Sequence, residues 1–287
     1  MSVNTLLFRR QRKISSKTLG PVAELESHVD PEWWRYLFNS LYVKTDADVV
    51  EDDEITRYET DIFLKILKVN KDAAILDLCC GQGRHSFELY KRGYHNIEGL
   101  DRSSYLISKA RNKSRHDGIS IRFREGDARK LPYRANSFGV VLILGNSFGY
   151  FESSDDDLKV LQSVVRVLKP GGALLIDVAD GDFLKRNFKP RSWEWINKKH
   201  FVCRERCISS DGKKLISREV ITHANKGIIA DQFYAENLYC INSLRLLAQQ
   251  AGFENIVTRK GLTVHSQRNQ DLGMMENRII LNARIKK

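Results

Sequence analysis

The sequence predicts a doubly wound α/β fold on a mostly parallel sheet of seven strands, with a helical cap ahead of it and an antiparallel β insertion within it. Two observations carry that expectation. From residue 73 to residue 179, short apolar runs alternate with stretches of helical periodicity, the pattern of βαβ units. After residue 192 the alternation stops, and β-rich runs are separated by the turn sequences Ser210-Asp211-Gly212-Lys213 and Asn225-Lys226-Gly227.

The elements follow in order. Residues 1–29 form a basic N-terminal arm. Within it, residues 1–23 hold five basic residues, five Ser or Thr and no acid. Mitochondrial transit peptides share that composition, but so do ordinary basic arms, and the stretch is short and poorly amphipathic. A cytoplasmic arm is the favoured reading, with mitochondrial import as the minority one. Arg9 and Arg10 interrupt the only apolar run there, so no secretory signal is expected. Residues 30–72 form the cap. A helix is expected over 30–44, with Asp30 as N-cap, Pro31 in the first turn and aromatics at helical spacing. A second is expected over 56–68, after the acidic run Glu51 to Glu54.

The core spans 73–180. Strands are expected at 73–79, 96–101, 119–125, 138–145 and 171–179, with helices at 84–92, 103–116 and 155–168 between them. Lys169-Pro170-Gly171-Gly172 turns the chain into the fifth strand. Residues 181–241 form the insertion. The sheet is completed over 242–287 by a helix at 242–251, ended by Gly252, and strands at 254–260 and 277–285.

Composition bounds the function. The formal charge is +11, which favours phosphates, acidic ligands or nucleic acid, but the basic residues are spread along the chain rather than gathered into one footprint. No segment approaches the roughly 18 uninterrupted apolar residues of a membrane span, so a soluble protein is expected. Five cysteines without framework spacing fit free thiols in a reducing compartment.

The chemistry is expected at LDLCCGQGRH, residues 76–85. The first strand carries Asp77 and runs into Cys79-Cys80-Gly81-Gln82-Gly83, after which Arg84 starts a helix. Glycines at such a turn let backbone approach a ligand closely, and free amides favour a negative group. Asp101 ends the second strand 20 residues beyond Gly81, where an acid accepts both ribose hydroxyls of an adenosine. Gly126-Asp127-Ala128 follows the third strand, placing an acid within reach of an adenine amino group. Ser86 stands where a pyrophosphate fingerprint needs a third glycine, so a nucleoside without a pyrophosphate fits better.

Over residues 73–180 the chain resembles the class I, Rossmann-like S-adenosylmethionine (SAM) dependent methyltransferases, of the small-molecule type with a β insertion after the fifth strand. Asp77 to Gly83 stands for that family's D-L-G-C-G-T-G loop, Gly99-Leu100-Asp101 for the ribose acid and Gly126-Asp127-Ala128 for the adenine motif. Leu131-Pro132 to Ser137-Phe138 and Leu168-Lys169-Pro170-Gly171-Gly172 also match. Cys79 replaces the usual first glycine, and Gln82 a common Thr or Ser. The resemblance implies SAM as cofactor, held by Asp77, Cys79, Gly81, Gly83, Asp101, Arg102, Asp127, Ala128 and Leu144, with Arg57 and Arg84 available for its carboxylate.

Methyl transfer from a sulfonium needs alignment and desolvation, and a base only if the nucleophile still holds a proton. No metal is required. Leu144-Gly145-Asn146-Ser147-Phe148-Gly149-Tyr150 resembles the N-P-P-Y motif of amino-methylating enzymes without its prolines, with Asn146 and Tyr150 as the catalytic candidates. Phe148, Trp33, Tyr42, Trp193, Trp195 and Tyr234 are the candidate acceptor walls, although for any single aromatic the packing of a lid is the favoured reading. His85, His200, His223 and His265 are the candidate bases. Cys203 and Cys207 are too far apart on a strand to share an ion, so no metal site is expected.

The expected function is methyl transfer to N or O of a small or medium-sized metabolite by a monomer or homodimer, without a membrane partner. The alternatives are an RNA methyltransferase, disfavoured because no RNA-binding module is recognisable, and a non-catalytic SAM-binding scaffold. Aminopropyl transfer would need carboxylates at the end of the fourth strand, where Leu144-Gly145-Asn146 stands instead.

Overall fold

The computed structural model describes residues 20–264 and 272–287; most of the basic arm and His265 lie outside them. A seven-stranded sheet consists of β1 (Ile75–Leu78), β2 (Ile97–Asp101), β3 (Arg122–Glu125), β4 (Phe138–Ile143), β5 (Leu168–Ala179), β10 (Glu254–Thr263) and β11 (Asn277–Arg284). Its order is β10-β11-β5-β4-β1-β2-β3. The first five pair in parallel, while β11 runs antiparallel between β5 and β10. The order reverses beside β1, which opens a crevice at the carboxyl ends of the strands, the place where open α/β sheets bind ligands.

Apolar residues fill both faces, as a parallel sheet requires. One face packs on α3 (Asp53–Leu67), α4 (Arg84–Lys91) and α5 (Ser104–His116) through Phe63, Phe87, Ile107, Leu142 and Leu144. The other packs on α6 (Ser154–Val167) and α8 (Ile241–Gln250) through Val141, Ile143, Leu161 and Leu244. Helix α3 begins earlier than its periodicity suggests, because Asp52 caps it by accepting from the amides of Glu54 and Ile55 at 2.7 and 2.9 Å.

Three expectations about elements fail. The helix expected over 30–44 is instead a 3-10 turn at Trp33–Arg35 followed by two single-turn helices, α1 (Tyr42–Thr45) and α2 (Ala47–Val50). Asn39 breaks it: its amide donates to the Tyr36 carbonyl at 2.7 Å and its Oδ1 accepts from the Leu41 amide at 2.7 Å, giving the backbone a turn in place of a helix. Lys169 to Gly172 bulge within β5, whose pairing with β4 jumps from Phe138–Leu168 to Val140–Ala173. A helix, α7 (Gly181–Asn187), opens the insertion, capped by Asp180.

The insertion is a four-stranded antiparallel meander, β6 (Arg191–Asn197), β7 (His200–Ile208), β8 (Lys214–His223) and β9 (Gly227–Asn237). Its outer face is partly covered by residues 22–29, where Leu25 packs on Ile216 and Ala235. No helix among the described residues is long and apolar enough to cross a membrane.

Candidate active site

The loops after β1, β2, β3 and β4 meet at the carboxyl edge of the sheet and form a cavity lobe lined by Cys79, Gly81, Asp101, Gly126, Asp127, Ala128 and Phe148. Asp101 organises it. One carboxylate oxygen accepts from the Gly81 amide at 2.8 Å and the other from the Ser103 amide at 2.7 Å, so each keeps a lone pair for a ligand hydroxyl. Burial raises its pKa against these donors. Asp127 is clamped by Arg129, whose Nε and Nη2 reach its two oxygens at 3.0 and 2.7 Å. Leu100, Leu106, Ile143 and Val160 supply an apolar slot between the two acids.

The glycine loop has steric causes. A Cβ on Gly83 would lie 2.8 Å from the Phe123 ring, and its φ of 84° is left-handed. Gln82, which departs from the family pattern, donates to the Val50 carbonyl at 2.8 Å, and Ser103 donates to that of Phe38 at 2.6 Å. These two bonds fasten the cap segment over the loop. Cys79 has a φ of 60°, a conformation costing roughly 1–2 kcal/mol for a residue with a Cβ. At an ordinary position Gly is less stable than Ala, but at 79 the order should reverse. Cys79→Gly is expected to be more stable than Cys79→Ala by about 1 kcal/mol in urea unfolding; the usual order would show that the backbone here is unstrained. Burial raises the thiols of Cys79 and Cys80, keeping both protonated and poor nucleophiles. Among the described residues no cluster of three or more His, Cys, Asp or Glu is arranged to hold a metal.

A second lobe adjoins the first, sharing Phe38, Tyr42, Gly145 and Tyr150 as walls. Its roof is one face of the meander, on which Glu194, Arg204, Arg206, Ser217, Glu219, Gln232, Tyr234 and Glu236 stand at alternate positions of four strands.

The profile of a methyltransferase domain matches residues 75–172. Over this stretch the chain is similar to methyltransferase domains. The demethylmenaquinone methyltransferase of Lactococcus lactis subsp. lactis is 38% identical over 155 residues, 51% of this chain and 58% of that protein. The glycine/sarcosine N-methyltransferase of Aphanothece halophytica is 33% identical over 136 residues, 46% and 51% of the two chains. The chain thus spans about half the length of the curated relatives it matches. A crystal structure of an S-adenosylmethionine-dependent methyltransferase from Clostridium acetobutylicum shares the fold, with a TM-score of 0.67 at 21% identity over 86% of this chain and 97% of that one.

Several expected site residues take other places. Arg57 is exposed on α3 beside Glu54, because Ile55, Thr56, Glu59 and Thr60 occupy the inward face of that helix. Leu144 points to the α3 side of the sheet, since alternate residues of a strand face opposite ways and Ile143 takes the cavity side. By the same alternation Trp193 and Trp195 stand on the outer face of β6, 68% and 55% exposed, while Glu194 faces inward. Trp33 is buried behind the wall, against Tyr150 and Tyr234, and it is Trp34 that lines the first lobe. Phe148 lines that lobe too, packed on Tyr239, and does not reach the second one. Tyr42 and Tyr234 do line the second lobe, and Arg102 lines the first, paired with Glu125 at 3.3 Å. Asp77 sits below the lobe, accepting from the Ser86 hydroxyl at 2.5 Å.

The two catalytic candidates are bound into the scaffold. Asn146 Oδ1 accepts from the Ala179 amide at 2.9 Å, and Nδ2 donates to Glu236 at 3.4 Å. The Tyr150 hydroxyl donates to the Asn146 carbonyl, and burial holds it protonated. The histidines stand elsewhere: His85 is buried against Glu59, its pKa pushed down to about 4 chiefly by burial, and His200 packs on His223 at the far end of the meander.

A buried ion network escaped the sequence reading. Glu59 accepts from Arg84 Nη1 at 2.5 Å, from His85 at 2.9 Å and from Arg278, which also bridges to Asp177. Burial alone would raise the Glu59 carboxyl, but Arg84, Arg278 and His85 together hold it well below the usual range. Asp177 in turn accepts from the Gly145 amide at 2.8 Å. The network thereby fixes the loop between the two lobes, and a Cβ on Gly145 would lie 3.3 Å from Arg84 Nη2.

Proposed function

We propose that the protein transfers a methyl group from SAM to a nitrogen or oxygen of a small or medium-sized metabolite. One observation carries this reading: a lobe lined by Asp101 and Asp127 adjoins a charged lobe, the two sharing Phe38, Tyr42, Gly145 and Tyr150 as walls. SAM supplies an electrophilic methyl on a sulfonium, and the residues present fit it. Asp101 offers lone pairs to a ribose diol, the apolar slot and Asp127 suit an adenine, and Arg84 Nη2 beside Gly145 suits a carboxylate.

In this reading the cap over 30–72 and the insertion over 181–241 close the second lobe around the acceptor. The chain's own contribution is alignment and water exclusion, with Phe38, Tyr42 and Tyr150 narrowing the passage where the reacting atoms meet. The relatives' names point to acceptors of metabolite size. The test is the fate of a labelled methyl group supplied as SAM to the purified protein with a metabolite extract and with total RNA.

A further inference from the structure

Glu236 lines the second lobe and is bonded to Asn146, the neighbour of the shared wall residue Gly145, and its geometry is incomplete. It is 7% exposed, on the inward face of β9. Oε1 receives the Asn146 amide at 3.4 Å, and Oε2 has no hydrogen-bond partner among the described residues. A buried carboxylate oxygen without a donor is costly, and such an atom in a cavity wall marks the place of a ligand donor. Glu194 Oε2 is a second such atom on the same roof.

The groups around Glu236 define the ligand's charge. Asp46 faces it from the junction of α1 and α2, Tyr42 from α1, Tyr150 from the β4 loop, Arg206 from β7 and Tyr234 from β9 itself. Arg204 is consumed by Glu194 and Glu219, at 2.5 and 2.8 Å. The described lining of the lobe holds four carboxylates, Asp46, Glu194, Glu219 and Glu236, against the guanidiniums of Arg204 and Arg206. With Glu236 ionised, that excess suits a cation carrying several N–H or O–H donors.

We propose that the acceptor is a primary or secondary amine that enters as an ammonium ion, and that Glu236 Oε2 receives its proton. The proposal rests on the methyl-transfer reading. The ammonium N–H bond breaks with its electron pair left on nitrogen, and the proton passes to Oε2. The freed pair forms the N–CH3 bond, the electrons of the methyl–sulfonium bond go to sulfur, and the proton later leaves to solvent. Burial, reinforced by Asp46 and opposed by Arg206, pushes the free Glu236 carboxyl up to about 8. It is therefore mostly protonated at pH 7 in the empty lobe, and an arriving ammonium ion expels that proton before the pair forms.

The test uses butylammonium chloride and butanol as probes, titrated calorimetrically into the protein saturated with S-adenosylhomocysteine, in buffers of different ionisation enthalpy. Butylammonium is expected to bind at least ~10-fold more tightly than butanol, with release of nearly one proton at pH 7 and almost none at pH 9.5. Glu236→Gln, whose amide oxygen can still accept from Asn146, is expected to lose both the preference and the proton release while its S-adenosylhomocysteine affinity stays unchanged. Equal affinity for the two probes, or proton release that survives in Glu236→Gln, would overturn the assignment. Failure of the wild type to bind S-adenosylhomocysteine would instead count against the methyl-transfer reading, and the amine arm run without it still reports on Glu236.

Discussion

Arg278→Ala is expected to lower the free energy of unfolding by about 3–5 kcal/mol, because breaking a buried pair from one side leaves an uncompensated charge. Asp177 loses its guanidinium partner, while Glu59 loses one of three and keeps Arg84 and His85. Glu59 and Asp177 are both fully buried and both pair with Arg278, so its removal exposes each carboxylate to the other in a dry interior. An exposed pair offers the contrast: Arg102→Ala, which removes a partner from Glu125, is expected to cost less than about 1 kcal/mol. Urea unfolding of both variants checks the difference. A similar small effect for the two would show that the buried network is not what holds α3 and α4 against β5 and β11.

Asp101→Ala is expected to weaken SAM binding by roughly a hundredfold or more, because a charged acceptor makes hydrogen bonds of about 1.5–3 kcal/mol each and a ribose diol offers two donors. The substitution also frees the Gly81 and Ser103 amides, so part of the loss comes from a looser glycine loop. Asp101→Asn separates the contributions, since its amide oxygen can still hold one of those amides. Calorimetric titration should find both variants weakened while the fold persists. Unchanged affinity in Asp101→Ala would remove the ribose assignment.

The core was legible because its signals are local. Asp77, Gly81, Gly83, Asp101 and Asp127 mark successive strand ends, and a βαβ sheet brings successive strand ends to one edge. The lid was not legible for two reasons. Asn39 competes with the helix from inside a stretch whose aromatic spacing looks helical. On β6, Trp193 and Trp195 alternate with Glu194, and hydrophobic patterning puts the tryptophans inside. The structure does the reverse, because Arg204 and Glu219 on the neighbouring strands give Glu194 its partner network.

The buried network joins residues 219 positions apart in the chain, Glu59 and Arg278, a pairing that no local pattern encodes. Glu236 was hidden in the same way. Its importance comes from an oxygen left without a donor by the packing of four strands and a cap. A regular signal did exist in Arg204-x-Arg206, Ser217-x-Glu219 and Gln232-x-Tyr234-x-Glu236, where polar residues recur at every second position of three consecutive strands.

Whether the two adjoining lobes serve one reaction is measured most directly by following the label. Wild type and Asp101→Ala are incubated with methyl-labelled SAM, a small-metabolite extract and total RNA, and the low-molecular-weight and RNA fractions are counted separately. Wild-type label is expected in the small-metabolite fraction, reduced at least ~100-fold in Asp101→Ala at limiting SAM. Label confined to RNA, or SAM binding with no transfer to either fraction, would contradict it.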